Sequence, residues 1–395
     1  MPKKTIRDVD VSGKRVLVRV DFNVPLDEEG RITDDTRIKA ALPTLRYLLE
    51  HGASLVVMSH LGRPKGKVVD SMRLTPVAAR LGELLDVEVD KLNDVVGEEV
   101  EKACAALEPG GVILLENLRF EPGEESNDPE FSDRLAALGD IYVDDAFGAA
   151  HRAHASVVGV AERLPAVAGF LMQNELQALG GLLRDPARPF IAVLGGSKIS
   201  DKLKVLGAFQ KLVDVILIGG GMCFTIFKSQ GMEIGESLCE DELLDDVARV
   251  MSRADESRAD IRLPVDLVVA GEFKEDAESR VVDAAGIPPG WMGLDIGPRT
   301  IEDYVNSIAS AKTIFWNGPM GVFEWVRFEE GTKAVARAIA ESPAVSVAGG
   351  GDTVAAIEKF GLEDRFTHIS TGGGASMELL EGKTLPGVAV LQDKE

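Results

Sequence analysis

Short apolar runs of strand length recur along this chain, with stretches of helical spacing between them. In the first half, residues 16–20, 55–58, 112–115 and 141–143 read as strands rich in β-branched residues. Residues 37–49 and 76–85 carry helical periodicity, and Gly52 closes the first of these. In the second half, residues 190–194 form another strand-length run, and further runs end at Ile218, Trp316, Ala348 and Ser370. Strands alternating with helices predict parallel sheets with right-handed crossovers, an α/β chain. Between the halves, residues 170–183 are amphipathic, with Leu171, Leu176, Leu179 and Leu183 on one face. Gly180 and Gly181 weaken the end of this segment, and Pro186 and Pro189 close it. It is the candidate interdomain helix.

The polar residues at the strand ends divide the chain in two. In the first half the strands run into polar or cationic clusters: Asp21 and Asn23, then His60 and Arg63, then Arg119, then Arg152. Arg37 opens the helix after the first strand. Ligands of open α/β sheets sit beyond the carboxyl ends of the strands. Arginines converging there suit a small, multiply charged anion, because the guanidinium binds carboxylate and phosphate in bidentate fashion. His151 and His154 read as hydrogen-bonding groups rather than metal ligands, since no carboxylate or cysteine completes a metal spacing.

In the second half the strands end in glycines: Gly195-Gly196, Gly219-Gly220-Gly221, Asn317-Gly318-Pro319, Gly349-Gly350-Gly351 and Gly372-Gly373-Gly374. Glycine lets a ligand approach the backbone, whose N–H groups then cradle phosphates. The stretch from Phe190 to Lys202 reads as strand, tight turn and helix N-terminus. On a helix, Lys198 and Lys202 would share one face. Asp352, beside the glycine rim, is the metal candidate, because magnesium with nucleotides takes one or two carboxylates plus phosphate oxygens. The competing reading is a helix N-cap by Asp352 or Thr353.

Composition narrows the partners. At 395 residues the chain suggests about two domains. The net charge of −22 argues against nucleic acid or an anionic membrane as partner, so an anionic ligand needs a local basic cluster. Cys104, Cys223 and Cys239 lack paired spacing, which fits a reducing compartment. The N-terminus carries no apolar signal region and no run is long enough to span a membrane, so a cytoplasmic location is expected. No G-x-x-x-x-G-K-[ST] is present. Gly382-Lys383-Thr384 comes near it, but Met377 stands where the first glycine belongs. No strand leads into G-x-G-x-x-G either.

Eight stretches taken together resemble the phosphoglycerate kinase family, in that family's order and over essentially the whole chain. They are RVDFNVP (residues 19–25), SHLGRP (59–64), LENLRF (115–120), DAFGAAHRAHAS (145–156), GGSKISDK (195–202), WNGPMGVFE (316–324), GGGDT (349–353) and STGGGAS (370–376). Ala149 stands where a hydroxyl residue is common and Ser197 where alanine is common; neither removes a charged group. The resemblance implies two Rossmann-like, doubly wound parallel-sheet domains facing across a cleft. The expected N-terminal domain is residues 1–170, with a tail, 378–395, returning to it. Residues 171–189 would be the interdomain helix and linker, and 190–377 the nucleotide domain.

The resemblance further implies reversible phosphoryl transfer from 1,3-bisphosphoglycerate to ADP, by a monomer using Mg2+ with ADP or ATP. Asp21, Asn23, Arg37, His60, Arg63, Arg119 and Arg152 would hold the phosphoglycerate. Gly195, Lys198, Lys202, Gly219, Pro319 and Gly350, Gly351, Asp352 and Thr353 would meet the nucleotide, with Gly293 and Asn317 lining the adenosine site and Glu324 on the ribose. Asp352 would bind the metal. Arg37, Lys198 and the amides after Gly372 and Gly373 would stabilise the transferring group. Two alternatives stand beside this: a two-lobed binding protein that closes on an anion without chemistry, and an acyl-phosphate-forming ligase.

Overall fold

The structure is a computed structural model that describes residues 2–252 and 258–394. Met1 and Glu395, the outermost residues of the expected domains, lie outside the description. The chain groups into two compact units. One runs to Gln177 and takes in the chain from Thr384 on; the other runs from Ala178 to Lys383.

In the first unit the strands are β1 (Arg15–Val20), β2 (Ser54–Met58), β3 (Val89–Lys91), β4 (Val112–Leu114), β5 (Ile141–Asp145) and β6 (Ala166–Ala168). They form one parallel sheet in the order β3-β4-β2-β1-β5-β6. Residues 16–20 are all buried, as expected for a central strand covered by helices on both faces. One covering helix, Thr36–Glu50, lays Ile38, Leu42, Leu45 and Leu48 into the same core as Val16, Val18, Leu55 and Val57. The terminal segment packs here too: the Gly387 N–H donates to the Ala150 carbonyl at 2.9 Å, and Lys3 pairs with Asp393 at 2.9 Å.

Two sequence expectations change in this unit. The strand expected over residues 141–143 runs on through Asp144 and Asp145, because both stay in register with β1, opposite Arg19 and Val20. The helix Phe170–Arg184 forms, but its buried stripe is Met172, Glu175, Leu179 and Leu182. Of the four leucines expected on the apolar face, only Leu179 is fully buried.

The second unit holds β7 (Phe190–Leu194), β8 (Val215–Ile218), β9 (Asp260–Arg262), β10 (Asp266–Ala270), β11 (Ser279–Asp283), β12 (Met292–Ile296), β13 (Thr313–Asn317), β14 (Val345–Gly349) and β15 (His368–Ser370). Six of them make a parallel sheet ordered β15-β14-β13-β7-β8-β9. A separate antiparallel sheet, β11-β10-β12, has no counterpart in the sequence reading. Both six-stranded sheets are doubly wound. The chain leaves β1 toward β2 on one side and places β5 on the other; likewise β8 and β13 flank β7.

The segment after β7 differs from the expected strand–turn–helix. The helix begins only at Leu203, so Lys198 precedes it and Lys202 is its N-cap. Residues 195–202 are held in an irregular path by neighbouring loops instead. The Gly195 and Gly196 N–H groups donate to the Asn317 and Pro319 carbonyls, and the Ser200 N–H donates to Glu240 Oε2. The two lysines therefore do not share a helix face.

Candidate active site

At the carboxyl edge of the first unit's sheet, three loops are tied together at Gly62. Its N–H donates to Asn23 Oδ1 at 2.8 Å, and its carbonyl accepts from Arg119 Nη1 at 2.6 Å. Gly62 sits at φ +63°, a left-handed conformation that glycine adopts without strain and that a side chain there would strain. Asn117 reinforces the junction. Its Oδ1 accepts from Leu61 and Arg119 N–H groups, while its Nδ2 donates to the Leu61 and Met72 carbonyls. Behind it, the buried Glu116 carboxylate accepts from the Leu74 and Asn117 amides and pairs with Arg73 and Lys91. Burial pushes this carboxyl up, but Lys91 and the two amides outweigh burial and hold it below the usual range.

Arg37, at the start of its helix, pairs with Asp21. Burial pushes the Asp21 carboxyl up, yet it stays below its usual range beside the Arg37 and Arg19 guanidiniums and the Asn23 amide. His60 is buried, and that burial carries its pKa well below the ordinary histidine value; Asp21 opposes this, and Arg19, Arg119 and Arg37 add to it. Burial and the nearby Arg152 charge lower the Arg119 pKa. Arg63 is exposed on its loop. Arg152 Nε lies 3.2 Å from His151 Nε2, and His154 Nδ1 lies 3.7 Å from Glu124 Oε1. Burial, with Arg19 and Arg119, lowers the His154 pKa to about 4, so it is neutral near pH 7.

The sequence reading gave no role to Arg19, although it lies inside the RVDFNVP stretch. It sits near the carboxyl end of β1, 1 % exposed, and contacts Ser156 and His60. An arginine within a run of buried apolar residues was the available signal. Asp144 beside it was missed as well.

The second unit carries two cavities that share Gly196, Ser197 and Asp352. One, of about 120 Å3, is polar and lined by Gly195, Lys198, Lys202, Asn317, Gly350 and Thr353 among others, with Gly351 also on its wall. It lies where β7 and β13 part, the position at which doubly wound sheets bind ligands. The other, of about 470 Å3, is apolar, with Phe224, Leu238, Phe273, Met292 and Val322 on its walls and Gly293, Pro319 and Glu324 beside them.

Lining the cavities is not all that these glycines do: Gly318 lines the polar cavity and Gly220 the apolar one, and both also serve close backbone packing. A Cβ on Gly318 would sit 2.2 Å from the Gly195 carbonyl oxygen, and one on Gly220 would sit 2.6 Å from the Gly196 nitrogen. These glycines let the turns after β7, β8 and β13 stack backbone against backbone. Gly219 packs against Met320 and lines neither cavity. Gly196 and Gly351, by contrast, have open space where a Cβ would be, and both line the polar cavity.

Gly293 and Asn317, expected at one adenosine site, line different cavities: Gly293 the apolar one and Asn317 the polar one. Its Nδ2 donates to the Gly349 carbonyl at 2.6 Å, while its buried Oδ1 carries no hydrogen bond. Thr353 Oγ1 accepts from the Gly318 N–H at 2.7 Å. The N-cap of the helix Gly351–Lys359 is Gly350, without a side-chain cap, so Asp352 is not spent on capping and stands exposed at the rim. Burial lowers the Lys202 pKa, which Asp201 and Asp352 partly restore. Gly372 and Gly373 follow β15, outside both cavities; the Gly372 N–H donates to Ser370 Oγ at 3.2 Å.

A basic cluster thus lies at one sheet edge, and a polar and an apolar cavity with three wall residues in common lie at another. The phosphoglycerate kinase family profile matches residues 6–383. The chain belongs to the phosphoglycerate kinase family. It is 58 % identical over 400 residues to the phosphoglycerate kinase of Chloroflexus aurantiacus and 56 % identical over 394 residues to that of Moorella thermoacetica, each comparison covering all of both chains. The solved phosphoglycerate kinase of Coxiella burnetii superposes with a TM-score of 0.91 at 43 % identity, covering 98 % of each chain. That of Pyrococcus horikoshii gives 0.85 at 35 % identity, again over 98 % of each. As a member of the phosphoglycerate kinases the chain is a phosphotransferase acting on a carboxyl group.

Proposed function

We propose that the two ligands of this kinase divide between the units. The reaction is reversible phosphoryl transfer from 1,3-bisphosphoglycerate to ADP, giving 3-phosphoglycerate and ATP. The first unit holds the phosphoglycerate on Asn23, Arg37, His60, Arg63, Arg119 and Arg152, with Asp21 orienting Arg37. The second holds the nucleotide, its base in the apolar cavity beside Gly293, its ribose near Glu324 and its phosphates in the polar cavity with Lys198, Lys202 and Gly350 to Thr353. The observation that carries this reading is the pair of cavities in the second unit, one apolar and one polar, that share Gly196, Ser197 and Asp352 on their walls.

No protein nucleophile is needed, since a carboxylate oxygen and an ADP oxygen already serve. Catalysis then consists of positioning and charge neutralisation. We assign the transferring group to Arg37, Lys198 and the amides after Gly372 and Gly373. Among the described residues no group of three or more metal-binding side chains clusters. Two exposed carboxylates, Asp201 and Asp352, line the polar cavity; of these Asp352, next to the glycine rim, suits Mg2+ arriving with the nucleotide, most of its ligands being phosphate oxygens and water. The ion would neutralise phosphate charge. The protein acts as a monomer in the cytoplasm in this reading; among the described residues no helix is long and apolar enough to cross a membrane.

A coupled assay for ATP made from 1,3-bisphosphoglycerate and ADP tests the reaction. Turnover at kinase rates is expected; ligand binding without turnover would point to a closing binding protein instead.

A further inference from the structure

Arg19 approaches the basic cluster from beneath. Its Nη2 lies 3.0 Å from His60 Nδ1. A guanidinium has only donors, so His60 Nδ1 must offer its lone pair. A neutral ring then carries its proton on Nε2. The ring flipped about its axis would set a C–H against the guanidinium and forfeit the bond.

Arg19 is itself fixed on its other sides. Its Nε donates to Ser156 Oγ at 2.9 Å, and its Nη1 donates to the Val20 carbonyl. Ser156 Oγ donates onward to Glu124 Oε1 at 2.6 Å, and the Ser156 N–H donates to Glu124 Oε2 at 3.0 Å. Tyr142 holds the Ser156 carbonyl at 2.9 Å. Every one of these residues is buried. Asp21, Arg37 and Arg119 also act on His60 electrostatically, and the burial that lowers its pKa keeps it neutral. Among the described residues its Nε2 has no hydrogen-bond partner.

We propose that Arg19 is a positioning residue of the phosphoglycerate site: by donating to Nδ1 it holds His60 in the Nε2–H tautomer and so presents a neutral N–H donor to the bound anion. The inference rests on the reading that this unit binds phosphoglycerate. An imidazolium would set an Nδ1 proton against a guanidinium proton, so the arrangement also selects against a charged ring.

Nitrogen-resolved NMR of the imidazoles in the full chain tests it. At neutral pH His60 should show a lone-pair-bearing Nδ1 and a protonated Nε2, and 3-phosphoglycerate should shift the Nε2–H resonance. In Arg19→Met the two tautomers should mix, and KM for 3-phosphoglycerate should rise roughly tenfold with a smaller change in kcat, the loss of one good hydrogen bond. Arg19→Lys, which restores a donor, should recover the wild-type tautomer. A proton on Nδ1 in the wild type, or a charged ring at neutral pH, would overturn the role of Arg19 even if Arg19→Met failed to fold. The expected tautomer with no response to 3-phosphoglycerate would overturn His60 as an anion donor, a failure of the site reading that the same spectra distinguish.

Discussion

Single residues set two measurable properties. Asp144 is buried; its Oδ1 accepts from the Ala146 N–H at 3.0 Å, and its Oδ2 has no partner. Burial pushes its pKa from 3.8 up to about 7, against smaller pulls from the Ala146 amide and Arg19. The folded state thus holds a proton that the unfolded chain releases between pH about 4 and about 7. The associated stability is fully present below the lower value and is lost as pH rises through the upper one. Asp144→Asn keeps the acceptor and does not titrate, and it relieves the adjacent Asp145, also raised to about 7. The variant's stability should therefore fall less with rising pH, by up to about 4 kcal/mol across the window. Urea unfolding at several pH values measures this, and parallel profiles for both proteins would refute it. Lys198 belongs to function instead. It is exposed and lines the polar cavity, so Lys198→Ala should leave the fold intact and lower turnover about a hundred- to a thousandfold, the loss of one charge contact made in the transition state. A raised KM at unchanged kcat would move Lys198 to ground-state binding.

At the scale of elements, the antiparallel sheet makes one wall of the apolar cavity. Gly293 on β12 is where that wall meets Phe224, and a Cβ there would lie 2.1 Å from Phe224 Cζ. Gly293→Ala should push the ring into the cavity and raise KM for ADP about tenfold or more, leaving KM for phosphoglycerate unchanged; a crystal structure would show the displaced ring. An unaltered KM for ADP would remove the base from this cavity. This is also where legibility in the sequence fails. Residues 16–20 and 190–194 announce themselves because buried parallel strands are continuous apolar runs. β11, with Arg280 and Val281 exposed, carries no such signature. The path of residues 195–202 was not legible either, because its shape comes from hydrogen bonds to Asn317, Pro319 and Glu240, far away in the chain. The glycines do two things: at 318 and 220 they allow close backbone packing as well as lining a cavity, and at 196 and 351 they leave open space at the polar cavity. Arg19 stayed hidden because its burial is decided by Ser156 and His60 on other loops.

For the molecule as a whole, in-line transfer needs reacting atoms about 3 Å apart. A phosphoglycerate held by one unit and a nucleotide held by the other react only when both units bring them to that distance and exclude water. Each ligand alone satisfies one unit and should shift the conformational equilibrium only in part. The radius of gyration from small-angle scattering should accordingly be smallest in the ternary complex; equal values for the free, binary and ternary states would rule out closure as a step. The division of ligands between units is tested most directly by calorimetry of 3-phosphoglycerate and of Mg-ADP, each titrated separately into wild type, Arg119→Gln and Gly293→Ala. Arg119→Gln should weaken 3-phosphoglycerate at least about tenfold, as expected for a lost charged hydrogen bond, and leave Mg-ADP nearly unchanged. Gly293→Ala should do the reverse. If either substitution weakened both ligands equally, or the two effects were exchanged, the assignment of one ligand to each unit would be contradicted.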